Sequence, residues 1–132
     1  MNPTFEVRYD EQTRTVCADT FGFLGHDLYQ EGWLKVLKLL EVHHCQKIFM
    51  NVSDGKIISA ENQQWFLEKF IPKMERLMSG RNLYQARVVN DSDYFSKIST
   101  QNVYKKVQQQ HSNAHLMDFK TQEEALAWLS KY

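Results

Sequence analysis

Three short stretches gather the side chains best suited to chemistry or recognition. Residues 19–25, 52–58 and 90–95 hold the acids Asp19, Asp54, Asp91 and Asp93 and the hydroxyls Thr20, Ser53 and Ser92. The same stretches carry the aromatics Phe21, Phe23, Tyr94 and Phe95. Carboxylates, hydroxyls and rings together suit a peptide or a small organic ligand bearing amines or hydroxyls. They suit a phosphate poorly, apart from the backbone amides expected at helix starts after Ser59 or Asp93. Ordinary turns and helix caps use the same residue types, so this mixture is also what plain loops would contain. Ser53, Asp54, Phe23, Trp65, Asp91 and Tyr94 form the candidate ligand- or partner-binding set. Trp65 enters because it lies off the centre of its helix's apolar stripe, where an amphipathic ring can rim a site or fill an interface.

Other groups point away from catalysis. His43-His44-Cys45 are adjacent at a helix end and aim in different directions, so they cannot readily form a tetrahedral metal shell. His111 and His115 are four apart, but that spacing crosses a helix-to-strand connection and loses its meaning. No metal and no cofactor is expected. The chain lacks a Gly-x-Ser-x-Gly elbow, a phosphate loop with its Lys, and a His-Glu-x-x-His pair. Asp91 and Asp93 could exchange protons, yet they fall where caps belong. Cys17 and Cys45 read as packed, reduced thiols. No catalytic residue is assigned, although scattered catalytic groups would escape a motif search.

The elements that must hold these groups follow from hydrophobic period. Phe5 to Tyr9 alternates with period two, Asp10 to Thr13 supplies a turn, and residues 14–18 resume a strand, giving a hairpin. Leu28, Tyr29, Trp33, Val36, Leu37, Leu40 and His44 mark a helix, with Asp27 and Gln30 as its capping box. Lys47 to Val52 is a short apolar run, expected as an inner strand covered on both faces. Ser59 caps the next helix, whose stripe runs from Phe66 to Met78 with a kink or break expected at Pro72. A strand over 84–89, a helical stretch after Asp93, a strand over 114–119 and a final helix capped by Thr121 and Glu124 complete the chain. The order β-β-α-β-α-β-α-β-α implies a mostly parallel mixed sheet of about five strands, with the hairpin strand at an edge. Ligands of such sheets bind outside the carboxyl ends of strands, near a reversal of strand order.

At 132 residues the chain fits a single domain, 1–132. Sixteen basic and sixteen acidic side chains cancel, which disfavours nucleic acid as a partner. No run is long enough to cross a bilayer, so no stable membrane insertion and a cytoplasmic location are expected. Charge is nonetheless uneven. Residues 1–31 hold two basic and six acidic groups, whereas 66–110 hold eight basic and four acidic, including Lys69, Arg76, Arg87 and Lys106, the basic set lying mostly on expected helix surfaces. A basic face docking on another copy's acidic amino-terminal region would make a homodimer.

The strand Lys47-Ile48-Phe49-Met50-Asn51, the stretch Val52-Ser53-Asp54-Gly55, the helix around Gln64-Trp65-Phe66 and the ending Glu123-Glu124-Ala125-Leu126-Ala127-Trp128-Leu129 resemble the STAS domain. The likeness is to its small stand-alone bacterial SpoIIAA-like branch, and it covers nearly the whole chain. The resemblance implies a non-enzymatic regulatory module binding a protein or a small lipid-like ligand. It also implies that Ser53 lies near a phosphorylatable switch position, with Asn51 where the family carries an acid and Asp54 where it carries a small residue. The alternatives are a phosphorylation-controlled switch at Ser53, a small lipid or metabolite carrier, or an unrecognised enzyme.

Overall fold

The computed structural model describes residues 2–55, 58–90, 105–109 and 113–132. The elements are β1 (Thr4–Asp10), β2 (Thr15–Gly22), α1 (His26–His43), β3 (Lys47–Gly55) and α2 (Ala60–Trp65). A π-helical turn (Phe66–Phe70), α3 (Ile71–Met78) and β4 (Leu83–Val88) follow. After a helical stretch at 105–109 come β5 (Ala114–Phe119) and α4 (Gln122–Leu129). The expected helical segment from Asp93 through Val103 lies outside the described residues.

The hairpin closes on Asp10, whose carboxylate accepts from the Gln12 backbone N–H at 3.1 Å and the Thr13 hydroxyl at 2.9 Å. β1 is antiparallel to β2, and every later pairing is parallel. Spatial order equals chain order, β1-β2-β3-β4-β5. The expected reversal of strand order is therefore absent among the described residues, and their strands form no switch-point crevice. Right-handed crossovers that always step the same way put their helices on one face. That is why α1, the π-turn, α3 and Val107 share one core with Val16, Ala18, Ile48, Met50 and Leu116. α4 follows the last strand and crosses nothing, so it is free to close the other face over Cys17, Phe49, Ala86 and Val88. β3 thus carries Ile48 and Met50 into one core and Phe49 into the other, as a strand covered on both faces must.

Local chemistry sets the helix limits. Ser59 accepts the Asn62 N–H at 3.1 Å, and Thr121 accepts the Glu124 N–H at 3.2 Å. The break expected at Pro72 takes the form of the π-turn just before it. Proline offers no N–H to the Glu68 carbonyl and its ring crowds that oxygen, so the helix widens by one residue and Ile71 N–H bonds the Phe66 carbonyl. Ser79 (φ 53°) and Gly80 (φ 86°) then stop α3. The capping box expected from Asp27 and Gln30 does not form. α1 starts two residues earlier, with Gly25 at the cap and no side-chain cap bond, and Gln30 turns to the His26 ring instead.

Candidate functional site

β2 and β3 run further than their apolar sequence suggests. After a bulge between Asp19 and Phe21 they stay paired through Phe21–Asp54 and Gly22–Gly55. Ser53 and Asp54 are therefore strand residues, and Asp19 to Gly22 are too, rather than the loops expected from sequence. The alternation Asn51-Val52-Ser53 carries the reason. Val52 packs against the helix-covered core, leaving Asn51 and Ser53 to the opposite face of the ladder.

Asn51 organises this end of β3. Its side-chain oxygen accepts the Ser53 backbone N–H at 3.0 Å and the Ser53 hydroxyl at 2.7 Å. The hydroxyl proton is thus given to an amide oxygen, which cannot carry it away as a general base would. Ser53 is partly buried and Asp54 exposed. Phe23, one residue past the Gly22–Gly55 pairing, is 50% exposed. Gly22 has φ +73°, the left-handed turn that swings the chain out of β2 toward α1. This end of the sheet combines a held hydroxyl, an open carboxylate and an open ring, an arrangement fitted to recognition.

The other expected site residues separate. Trp65 is half-buried and packs edge-on against Tyr29 at 6.0 Å and near Phe70 at 6.2 Å, as part of the wall of the main core. Asp91 and Tyr94, with Ser92, Asp93 and Phe95, lie outside the described residues. Asp19 makes an exposed 3.0 Å ion pair with Arg8. Of the histidines, His43 stacks on Tyr9 at 3.7 Å, His44 ends α1 in the left-handed conformation, and His115 meets Asn82 at 3.1 Å.

A cluster that sequence reasoning missed fixes the approach to this rim. Asn62 is buried to 1% exposure, and its amide nitrogen donates to the Leu24 carbonyl at 3.0 Å. That orientation leaves its oxygen facing His26 Nδ1 at 2.9 Å. Nδ1 is then the ring's donor, and Nε2 accepts from the Gln30 amide, with Glu61 3.6 Å away. The loop carrying Phe23 and the starts of α1 and α2 are joined through one amide. A polar residue three positions after the Ser59 cap, on the inward side of its helix, was the only signal in the chain.

Arg87 lies in β4, within the strand expected over 84–89, but instead of adding to a basic surface it is 3% exposed. Its guanidinium donates to both oxygens of Asp118, at 2.9 and 2.7 Å, across the β4–β5 pairing. Burial pushes the Cys17 thiol above its ordinary value, outweighing the Arg8 charge that would lower it. Cys45 is buried with its thiol 3.0 Å from the Arg14 carbonyl. Neither sulfur is placed as a nucleophile. No helix among the described residues is long and apolar enough to cross a membrane.

No protein-family model and no curated protein matches the chain. Solved structures do. An uncharacterised protein of the DUF3478 family with a SpoIIAA-like fold, from Shewanella loihica PV-4, aligns over 97% of this chain and 94% of its own at 13% identity and a TM-score of 0.61. The anti-sigma factor antagonist SpoIIAA in its unphosphorylated form aligns over 98% of this chain and 100% of its own, at 18% identity and a TM-score of 0.60. An edge hairpin, a parallel sheet in chain order and helices closing both faces thus give this chain a SpoIIAA-like fold of the STAS type.

Proposed function

We propose that the protein is a non-enzymatic regulatory module that binds a protein partner at the carboxyl ends of β2 and β3. One observation carries this reading: the half-exposed Phe23 ring stands beside the strand end that bears Ser53 and exposed Asp54. A partner would lay an apolar group on Phe23 and a cationic or N–H donor group on Asp54. Trp65 backs the helical wall from inside, and Asp91 and Tyr94 join the proposed surface on sequence grounds alone. The likeness to an anti-sigma factor antagonist favours a protein over a small ligand. The test is a photo-crosslinking residue at position 23, used in extracts of the native cells. One selective partner should be captured, and its yield should fall at least severalfold with Asp54→Ala. Equal capture with Asp54→Ala, or capture spread over many proteins, rejects the site.

A second reading, a phosphorylation switch at Ser53, is favoured by the position of its hydroxyl at the end of β3. A phosphate there would displace the 2.7 Å bond to Asn51 and bring its charge close to Asp54 in sequence. Modification would then release the partner. Intact-mass analysis of protein from native cells should reveal a phosphorylated fraction that maps to Ser53. Absence of phosphate under every growth condition rejects the switch.

A further inference from the structure

β1 is an outer strand whose far edge is open. No strand among the described residues pairs with that edge, and the register of β1 to β2 runs from Thr4 to Asp10 without a bulge. The strand contains no proline. Charged side chains are then its remaining guard against pairing with another chain, and their order along β1 matters. Phe5, Val7 and Tyr9 pack toward α1, so Thr4, Glu6, Arg8 and Asp10 share the other face. Glu6 lies across from Asp19 of β2, like charge beside like. Arg8 gives its guanidinium to Asp19 at 3.0 Å, and exposed Glu6 has no ion-pair partner among the described residues.

From this arrangement we propose that the open edge of β1 binds β1 of a second copy of this chain, antiparallel and centred on Val7. Directly opposite residues of an antiparallel pair share a face, so a two-fold pairing must be centred on a residue. Centred on Val7, the whole seven-residue strand finds partners: Thr4 with Asp10, Phe5 with Tyr9, Glu6 with Arg8 and Val7 with itself. Symmetry makes the Glu6–Arg8 contact twice, and each carboxylate gains the cation it lacks in one chain. Centring on Glu6 or on Arg8 sets that residue against its own copy and leaves two strand residues unpaired. The register of greatest overlap is thus also the register of matched charge. α1 extends the same surface. It rests on β1 through Gly32, against the Phe5 ring, and through His43, stacked on Tyr9, while Trp33 turns the other way to Phe66 and Phe70. Past Gly32 and His43 around the helix come Leu39, Lys35 and Val42, on the side beyond β1. Val42 is 58% exposed, the most of any large hydrophobic side chain among the described residues. The two-fold brings this flank toward its own copy and adds apolar contact to the strand pairing.

Sedimentation velocity from micromolar to millimolar concentration should show a reversible rise from the mass of one chain to twice that mass. Over the same range, amide exchange should slow at alternate residues of β1, those whose N–H points away from β2. Glu6→Lys and Arg8→Glu each set like charges together at two symmetric points, so each variant should dimerise at least about tenfold more weakly. Mixed in equal amounts, the two variants again place opposite charges across both contacts, and a heterodimer should form with near-parental affinity. Both positions are exposed, so the variants should fold, which an unchanged Tm confirms. The proposal is overturned if the parent stays monomeric throughout or if either variant dimerises as tightly as the parent. A mixture that stays monomeric while both variants keep the parental Tm also overturns it. Should a variant lose its fold, the exchange pattern of the parent decides, and slowing that spares β1 overturns the proposal.

Discussion

Asp118→Ala should be among the most damaging single substitutions in this protein, because of what it leaves behind. The Arg87 guanidinium is 3% exposed and donates two hydrogen bonds to Asp118, whose own side chain is 16% exposed. Removing the carboxylate strands a cation between the sheet and the helices, and breaking a buried pair in this way costs about 3–5 kcal/mol. The lower end applies, since Arg87 has a further interaction beyond Asp118. Against a total stability of about 5–15 kcal/mol, a loss of roughly 3 kcal/mol is a large share. With a urea slope of about 1.5 kcal/mol per molar, the unfolding midpoint should fall by about 2 M at unchanged slope. The double variant Arg87→Met with Asp118→Leu removes both charges and should recover most of that loss. Added salt should alter the effect little, because the pair is shielded from solvent ions. The exposed Arg8–Asp19 pair is the internal contrast, and Asp19→Ala should cost about 0–1 kcal/mol. An Asp118→Ala midpoint within about 0.3 M of the parent, or a double variant as weak as the single, would refute the argument.

Further predictions follow from neighbouring features. Gly32→Ala places a methyl 2.3 Å from the Phe5 ring, so despite better helix propensity it should lower stability by about 1–2 kcal/mol in urea unfolding. Phe5→Leu should relieve part of that clash, and purely additive losses would count against it. Asn62→Ala should cost about 1–3 kcal/mol by orphaning the Leu24 carbonyl and the His26 ring, and amide exchange should quicken at the starts of α1 and α2. The Cys17 thiol is raised by burial, so the unfolded chain ionises first as pH climbs. Its contribution to stability is full below the ordinary thiol pKa and declines as pH passes upward through it, and Cys17→Ser should flatten that alkaline decline in urea midpoints.

Much of the architecture was legible because hydrophobic period is a local property. The hairpin, the helix stripe from Tyr29 to Leu40, the doubly covered β3 and the Ser59 and Thr121 caps all depend on residues within a few positions of one another. Pro72 announced a break for the same reason, since a missing N–H acts four residues away. The site was less legible. The end of β3 read as a loop because its apolar run stops at Val52, whereas the strand continues on backbone bonds to β2 that no single segment encodes.

The chain's sequence by itself determined which segments become strands and helices, and which face of each turns inward. Tertiary structure alone decided that the described strands assemble in chain order without a reversal, so that they form no switch-point crevice. It also decided that Arg87 meets Asp118 across 31 positions and that Asn62 joins His26 to Leu24 across 36 and 38. The physical reason is range. A helix stripe is written in neighbours, but a buried polar group is tolerable only if a distant partner arrives, and which partner arrives depends on how the finished sheet is stacked.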